Sequence, residues 1–263
     1  MFAKAFNFQF HPFEEQIDSD RIITDERFAH VFDRLEYFAQ HGLVALLTGP
    51  TGVGKTSLIK RFLDTLPSHR YQPLYLHISH IGSSAMLRTI VAALDERPSM
   101  GKDRLFRQIL DRTRASERST LIAIDDAHLL NESTLTDLRL LVSAPQCNSP
   151  GIKLLLGGQP PLAKLLARAS LADLLNRISV RAHLHPLSKD QTVCYIDQRL
   201  SAAGGSDQIF ETTAKHLIHE HSGGIPRQIN NLATGCLIHA ASRQLKRIND
   251  ALVVEAAQEL RML

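Results

Sequence analysis

Short apolar runs alternate with helically spaced stretches through the first two thirds of the chain. Leu43-Val44-Ala45-Leu46-Leu47, Leu121-Ile122-Ala123-Ile124 and Ile152 to Leu156 are continuous apolar runs of strand length. Such runs read as strands buried on both faces. Leu74 to Ser79 and Ser179 to Leu184 read as two further strands. A helix is predicted from Asp25 to about His41, where Phe28, Val31, Phe32, Leu35, Phe38 and Ala39 recur at helical spacing and Gly42 provides a stop. Further helices are predicted over Lys55 to Leu66, around 83–96, 102–117 and 132–143, and as short pieces around 161–175. Strands alternating with helices predict an α/β fold with a parallel sheet flanked by helices.

After Pro186 the pattern changes. Segments 189–203, 211–221, 227–241 and 250–261 all carry helical spacing, and Gly204-Gly205, Gly223-Gly224 and Pro226 punctuate them. No strand pattern remains. The expected organisation is an N-terminal arm and helix over 1–41, a core over 42–185, and a small all-α domain over 186–263. The arm, up to residue 24, reads as irregular and is rich in Phe: Phe2, Phe6, Phe8, Phe10 and Phe13.

Composition adds little to this picture. The chain has 263 residues, 44% apolar, 22% charged and 6% aromatic, which is ordinary for a globular protein and unlike a disordered or disulfide-stapled one. Thirty basic against 27 acidic residues give a net charge of +3, which neither demands nor excludes nucleic acid. Cys147, Cys194 and Cys236 are odd in number and widely spaced, fitting a reducing compartment. The start carries no signal-peptide h-region, and no apolar run approaches the roughly 20 residues of a membrane helix. A soluble, cytoplasmic protein without a membrane partner is expected.

Candidate chemistry changes the picture most. Gly49-Pro50-Thr51-Gly52-Val53-Gly54-Lys55-Thr56 matches G-x-x-x-x-G-K-[ST] in full, with a predicted strand before it and a helix after it. Glycines let backbone N–H groups wrap a phosphate, and the helix N-terminus adds positive potential. In this arrangement Lys55 reaches the β- and γ-phosphates of ATP and the Thr56 hydroxyl ligates Mg2+, with Ser57 closing the binding segment. Asp125 and Asp126 end a buried strand some 70 residues downstream. Asp125 is the expected Mg2+ partner, acting through water, and Asp126 sits where a hydrolytic enzyme keeps a water-orienting base. There is no Asn-Lys-x-Asp motif for guanine. A small-molecule kinase would fit the phosphate loop, but it leaves the helical C-terminal region unexplained.

Five short motifs in order resemble the AAA+ ATPases of the ExeA and TniB/TnsC-like group, over nearly the whole chain. They are Phe6-Asn7-Phe8-x-x-x-Pro12-Phe13, Asp125-Asp126-Ala127-His128-Leu129-Leu130, Leu156-Gly157-Gly158-Gln159-Pro160, Asn176-Arg177-Ile178 and Ser222-Gly223-Gly224-Ile225-Pro226-Arg227-Gln228-Ile229-Asn230. The resemblance implies a P-loop AAA+ core with a helical lid. It implies that Arg177 is an arginine finger reaching a neighbouring subunit's γ-phosphate, with Arg181 as its rival. It also implies that Arg227 is a sensor in cis, that Gln159 senses γ-phosphate or water, and that the Phe-rich start clamps adenine or anchors the first segment in a core. The family usually has Glu where this chain has Asp126. The shorter side chain implies slow hydrolysis.

Two functions then compete. One is a regulator of transposition that oligomerises as a hexameric ring or helical filament, binds double-stranded DNA and presents it to a partner DDE transposase. The other is an ATPase of secretion or pilus assembly. The family's secretion members continue into a membrane helix and a wall-binding region, and a chain of this length leaves no room for either. For DNA, residues 97–118 hold seven basic against three acidic side chains. On the helix from 102, Arg104, Arg107 and Arg114 share an outer face with Asp111 among them, opposite Leu105, Phe106, Ile109, Leu110 and Thr113. That face is either a phosphate-tracking surface or a solvated helix face. Lys60 and Arg61 form a weaker candidate. The His216, His219 and His221 cluster matches no zinc spacing.

Overall fold

The structure, a computed structural model, describes residues 2–14, 23–77, 81–144 and 150–260. In chain order these form α1 (Phe2–Ala5), α2 (Glu26–His41), β1 (Val44–Thr48), α3 (Lys55–Thr65), β2 (Tyr71–His77), α4 (Ser83–Ala93), α5 (Lys102–Arg114), β3 (Ser119–Asp125) and α6 (Glu132–Ser143). There follow β4 (Ile152–Gly158), α7 (Pro161–Leu166), α8 (Ala172–Leu175), β5 (Ile178–His183), α9 (Lys189–Ala202), α10 (Thr212–Ser222), α11 (Pro226–Ser242) and α12 (Asp250–Glu259). Contacts gather the chain into two units. One is Glu26–Pro50 with Lys55–Leu184, and the other is Met1–Asp25, Thr51–Gly54 and His185–Leu263.

The first unit is built on a five-stranded parallel sheet of order β2-β3-β4-β1-β5. The continuous apolar runs are its inner strands β1, β3 and β4, buried along their whole length. The edge strands β2 and β5 alternate between buried and exposed positions. β2 begins at Tyr71, three residues before the predicted start. Pro73 lies inside it, which a strand at a sheet edge tolerates because a missing N–H there leaves no central ladder broken. The predicted end of this strand, Ser79, lies outside the described residues. α4 and α5 stop at Ala93 and Arg114, a turn short of prediction.

Buried Asp137 on α6 ties the two helices that follow β2. Its carboxylate accepts from the Ser83 hydroxyl at the start of α4 and from Lys102 Nζ at 2.8 Å at the start of α5. Leu105, Ile109 and Thr113 bury the inner face of α5, with Phe106 and Leu110 packed against the same core. Arg104, Arg107, Asp111 and Arg114 are exposed.

The second unit packs α9 to α12 around its own core, and the Phe-rich arm belongs to it. Phe6, Phe8 and Phe13 are buried with Ile196, Leu200, Ile229 and Leu232. The Gln9 N–H donates to the Ala203 carbonyl at 2.9 Å, and the Phe13 ring meets Phe210 edge-on. The arm is therefore less irregular than its sequence predicts: burial of aromatic rings orders it, and residues 2–5 form a helical turn. Ser188 and Gln191 form a capping box at the start of α9. A single parallel bridge, Phe210 with Ile248, stands where no strand pattern is visible. A pairing one residue long carries no period to read. Cys194 is exposed and Cys236 buried, its thiol pushed up to about 12 by burial. Cys147 lies outside the described residues. Among the described residues no helix is long and apolar enough to cross a membrane.

Gly224, before α11, has φ +71, and a Cβ there would lie 2.0 Å from the Leu187 carbonyl oxygen. The Leu187 N–H in turn donates to the Gly224 carbonyl at 2.8 Å. Gly224→Ala combines a disfavoured φ with a backbone collision, so it is expected to destabilise the protein by more than about 1 kcal/mol. Urea unfolding checks this, and an unchanged midpoint would contradict it.

Candidate nucleotide site

The phosphate-loop motif occupies the turn between β1 and α3. Gly49 and Val53 are buried, Thr51 is exposed, and α3 starts at Lys55. Lys55 is buried, and its Nζ donates to the Gly49 and Pro50 carbonyls at 3.0 and 2.8 Å. Gly52 and Gly54 take φ of +77 and +107, conformations that a side chain resists. A Cβ on Gly52 would fall 2.7 Å from Arg227 Cβ, and the Arg227 N–H donates to the Gly52 carbonyl at 3.2 Å. The start of α11, where Pro226 holds the first helical position, is thus seated on the loop's glycine.

Asp125 ends β3 fully buried. Its Oδ2 accepts from Thr56 Oγ1 at 2.5 Å and from the Tyr75 hydroxyl at 3.0 Å, and its Oδ1 accepts from the Asp126 N–H at 3.0 Å. Burial, and then the charge of Asp125, push the Tyr75 phenol well above its usual range, so it stays a donor. Tyr75 and His77 were not singled out from the sequence. They are two residues apart on β2, so they share one face of the sheet, level with Ala123 and Asp125 of β3.

Asp126 stands in the left-handed region at φ +52 and ψ 33, leading into the 3-10 turn Ala127–Leu129. Its carboxylate lies 3.8 Å from His77 Nδ1 on one side and 3.8 Å from His128 Nδ1 on the other. The Gln159 N–H points at the same His128 nitrogen at 3.5 Å. Asp126 and the Gln159 backbone both lie beside His128 Nδ1, which as an acceptor from the Gln159 N–H has no proton for the carboxylate. Arg177 is exposed in the turn before β5. Arg181 is exposed on that strand, its carbonyl accepting from Arg34 at 2.8 Å. Of the histidine cluster, His219 pairs with Thr192 at 2.9 Å.

These residues fit ATP with Mg2+. The donors beside the loop, Thr56 and Asp125, are oxygens, as a hard divalent cation requires. The glycine cradle leaves backbone open to phosphate, and Lys55 and the α3 N-terminus supply positive charge. A bound Mg2+ neutralises phosphate charge. Thr56 and Asp125 would hold it.

Comparison with known proteins agrees with this geometry. Residues 39–166 match the AAA domain family. General secretion pathway protein A of Aeromonas hydrophila is 30% identical over 99% of this chain, which spans 48% of that protein's length. Cdc6p from Pyrobaculum aerophilum superposes with a TM-score of 0.76 at 17% identity, covering 94% of this chain and 70% of its own. The ORC1 protein of Aeropyrum pernix, solved in complex with DNA, gives a TM-score of 0.73 at 16% identity, covering 96% and 70%.

Asp and Asn tolerate the left-handed region, whereas a β-branched residue does not. Asp126→Asn is expected to keep the wild-type melting temperature. Asp126→Val should destabilise by about 1–2 kcal/mol; equal melting of the two variants in a thermal scan would contradict the backbone assignment. The glycine-rich loop, the buried Asp125 and the five-stranded parallel sheet lead to one identification: the chain has the fold of the P-loop AAA+ ATPases, and residues 39–166 match the AAA domain family.

Proposed function

We propose that this protein binds and hydrolyses ATP with Mg2+, self-assembles, and works on double-stranded DNA as a regulator of transposition in the cytoplasm. The 2.5 Å contact of Thr56 with Asp125, beside the P-loop lysine, is the observation that carries the ATPase reading. Lys55 contacts the β- and γ-phosphates, Asp126 orients water, and Gln159, just past the end of β4, senses the γ-phosphate or water. Arg227 acts in cis from the start of α11. Arg177 acts in trans: it is exposed, as a residue serving a neighbouring subunit must be, and a guanidinium there stabilises charge on the transferring phosphoryl group. Self-assembly, as a ring or a filament, follows from a finger supplied by a second copy. Asp126 in place of Glu makes turnover slow.

The DNA reading rests on α5. Arg104 and Arg107 are exposed and make no ion pair among the described residues, whereas Lys102 and Arg112 are engaged with Asp137 and Glu96. Arg114 extends the same face. Assembly repeats this face from copy to copy, so modest phosphate contacts add. The solved ORC1 relative is itself a complex with DNA. The partner in this reading is a DDE transposase that receives the target. A second reading is favoured by the 30% identity to general secretion pathway protein A: an ATPase of secretion or pilus assembly.

An ATPase assay with and without duplex DNA tests the proposal. DNA is expected to stimulate turnover, and Lys55→Ala to abolish it. Arg177→Ala should cut turnover at least about a thousandfold while sparing nucleotide binding; unchanged turnover would remove its finger role. Replacing Arg104 and Arg107 by Ala should weaken DNA binding regardless of sequence and flatten its salt dependence by about one slope unit per lost phosphate contact. Failure to assemble on DNA under any nucleotide condition, with co-purification of inner-membrane components, would favour the secretion reading.

A further inference from the structure

Asp125 is held by more donors than the P-loop motif supplies. Thr56 accounts for one bond to Oδ2, and the Asp126 N–H for one to Oδ1. The third donor is the Tyr75 hydroxyl, 3.0 Å from Oδ2, and it comes from the neighbouring strand. Register explains how it arrives there. Tyr75 pairs with Ala123 and His77 with Asp125, so Tyr75 sits one pleat before the carboxylate on the same face. A phenol is long enough to span that step along the strand. Its ring is fixed on the other side by Lys60 of α3, whose Nζ lies 5.4 Å from the ring centroid. The hydroxyl is therefore aimed, with little freedom of its own.

We propose that Tyr75 is a positioning residue for the cation site, setting the orientation of the Asp125 carboxylate so that it presents a defined oxygen face toward Mg2+ beside Thr56. This rests on the ATPase reading of the site. A buried carboxylate with a single side-chain donor keeps rotational freedom about its last torsion, whose profile is broad. A second donor on the same oxygen removes that freedom. Tyr75 touches neither nucleotide nor water in this role. It acts through Asp125 alone, so its loss should appear as weaker cation binding, with more Mg2+ needed for half-saturation, and leave the cation-free affinity for nucleotide untouched. A purely structural tyrosine would change neither.

Tyr75→Phe is the test, because it removes one oxygen and leaves the ring over Lys60. Binding of a fluorescent ATP analogue is followed as Mg2+ is titrated, in wild type, Tyr75→Phe and Asp125→Ala, with circular dichroism confirming folded protein. Half-saturation by Mg2+ does not depend on the active fraction, so partial loss of folded material does not obscure it. The expected result is a rise in the Mg2+ half-saturation of at least about tenfold in Tyr75→Phe, the loss of one hydrogen bond to a charged acceptor. Affinity in EDTA should be unchanged, and excess Mg2+ should restore binding. Wild-type Mg2+ dependence in Tyr75→Phe, alongside a weakened Asp125→Ala, would overturn the role of Tyr75 alone. Absence of Mg2+-dependent binding in wild type would instead overturn the ATPase reading beneath it.

Discussion

The buried carboxylate of Asp125 is the constraint around which the first unit is arranged. A charge without solvent contact must be met by donors, and here three arrive from three places. Thr56 comes from the first turn of α3, Tyr75 from β2, and the Asp126 N–H from the chain itself. To deliver them, β2, β3 and the P-loop helix must be in register to within a hydrogen bond. The flat apolar runs of β1, β3 and β4 supply that rigidity, since strands buried on both faces have little room to slip. The same contacts hold Asp126 at a left-handed turn, which directs its carboxylate between two imidazoles.

The glycines of the loop serve two partners. A phosphate needs the backbone bare, and so does α11, whose Arg227 backbone hydrogen-bonds to Gly52 where a Cβ would collide. Within the second unit, Gly224 fixes the other end of that entry by closing on Leu187. The position of the Arg227 backbone is thus dictated by contacts on both sides.

Much of this was legible in the sequence, for reasons that differ by element. β1, β3 and β4 are visible because total burial writes itself as an unbroken apolar run. α5 is visible because one face is apolar and the other charged. The P-loop is visible because its chemistry allows few residue types. β2 was misplaced because an edge strand tolerates Pro73, a residue that normally argues against a strand. The Phe arm looked irregular because its order comes from burial against helices more than 180 residues away in the chain, as with Gln9 and Ala203. Tyr75, His77 and His128 were not legible as site residues. Their significance lies in a register between strands that are distant in sequence, and no local spacing records it.

The most direct measurement is electron paramagnetic resonance of Mn2+ in place of Mg2+, titrated into the nucleotide-loaded protein. One tightly held Mn2+ per bound nucleotide is expected, with at least about tenfold weaker retention in Asp125→Ala, the loss of a charged ligand. Equal Mn2+ affinity in wild type and variant would contradict the claim that Asp125 organises this site.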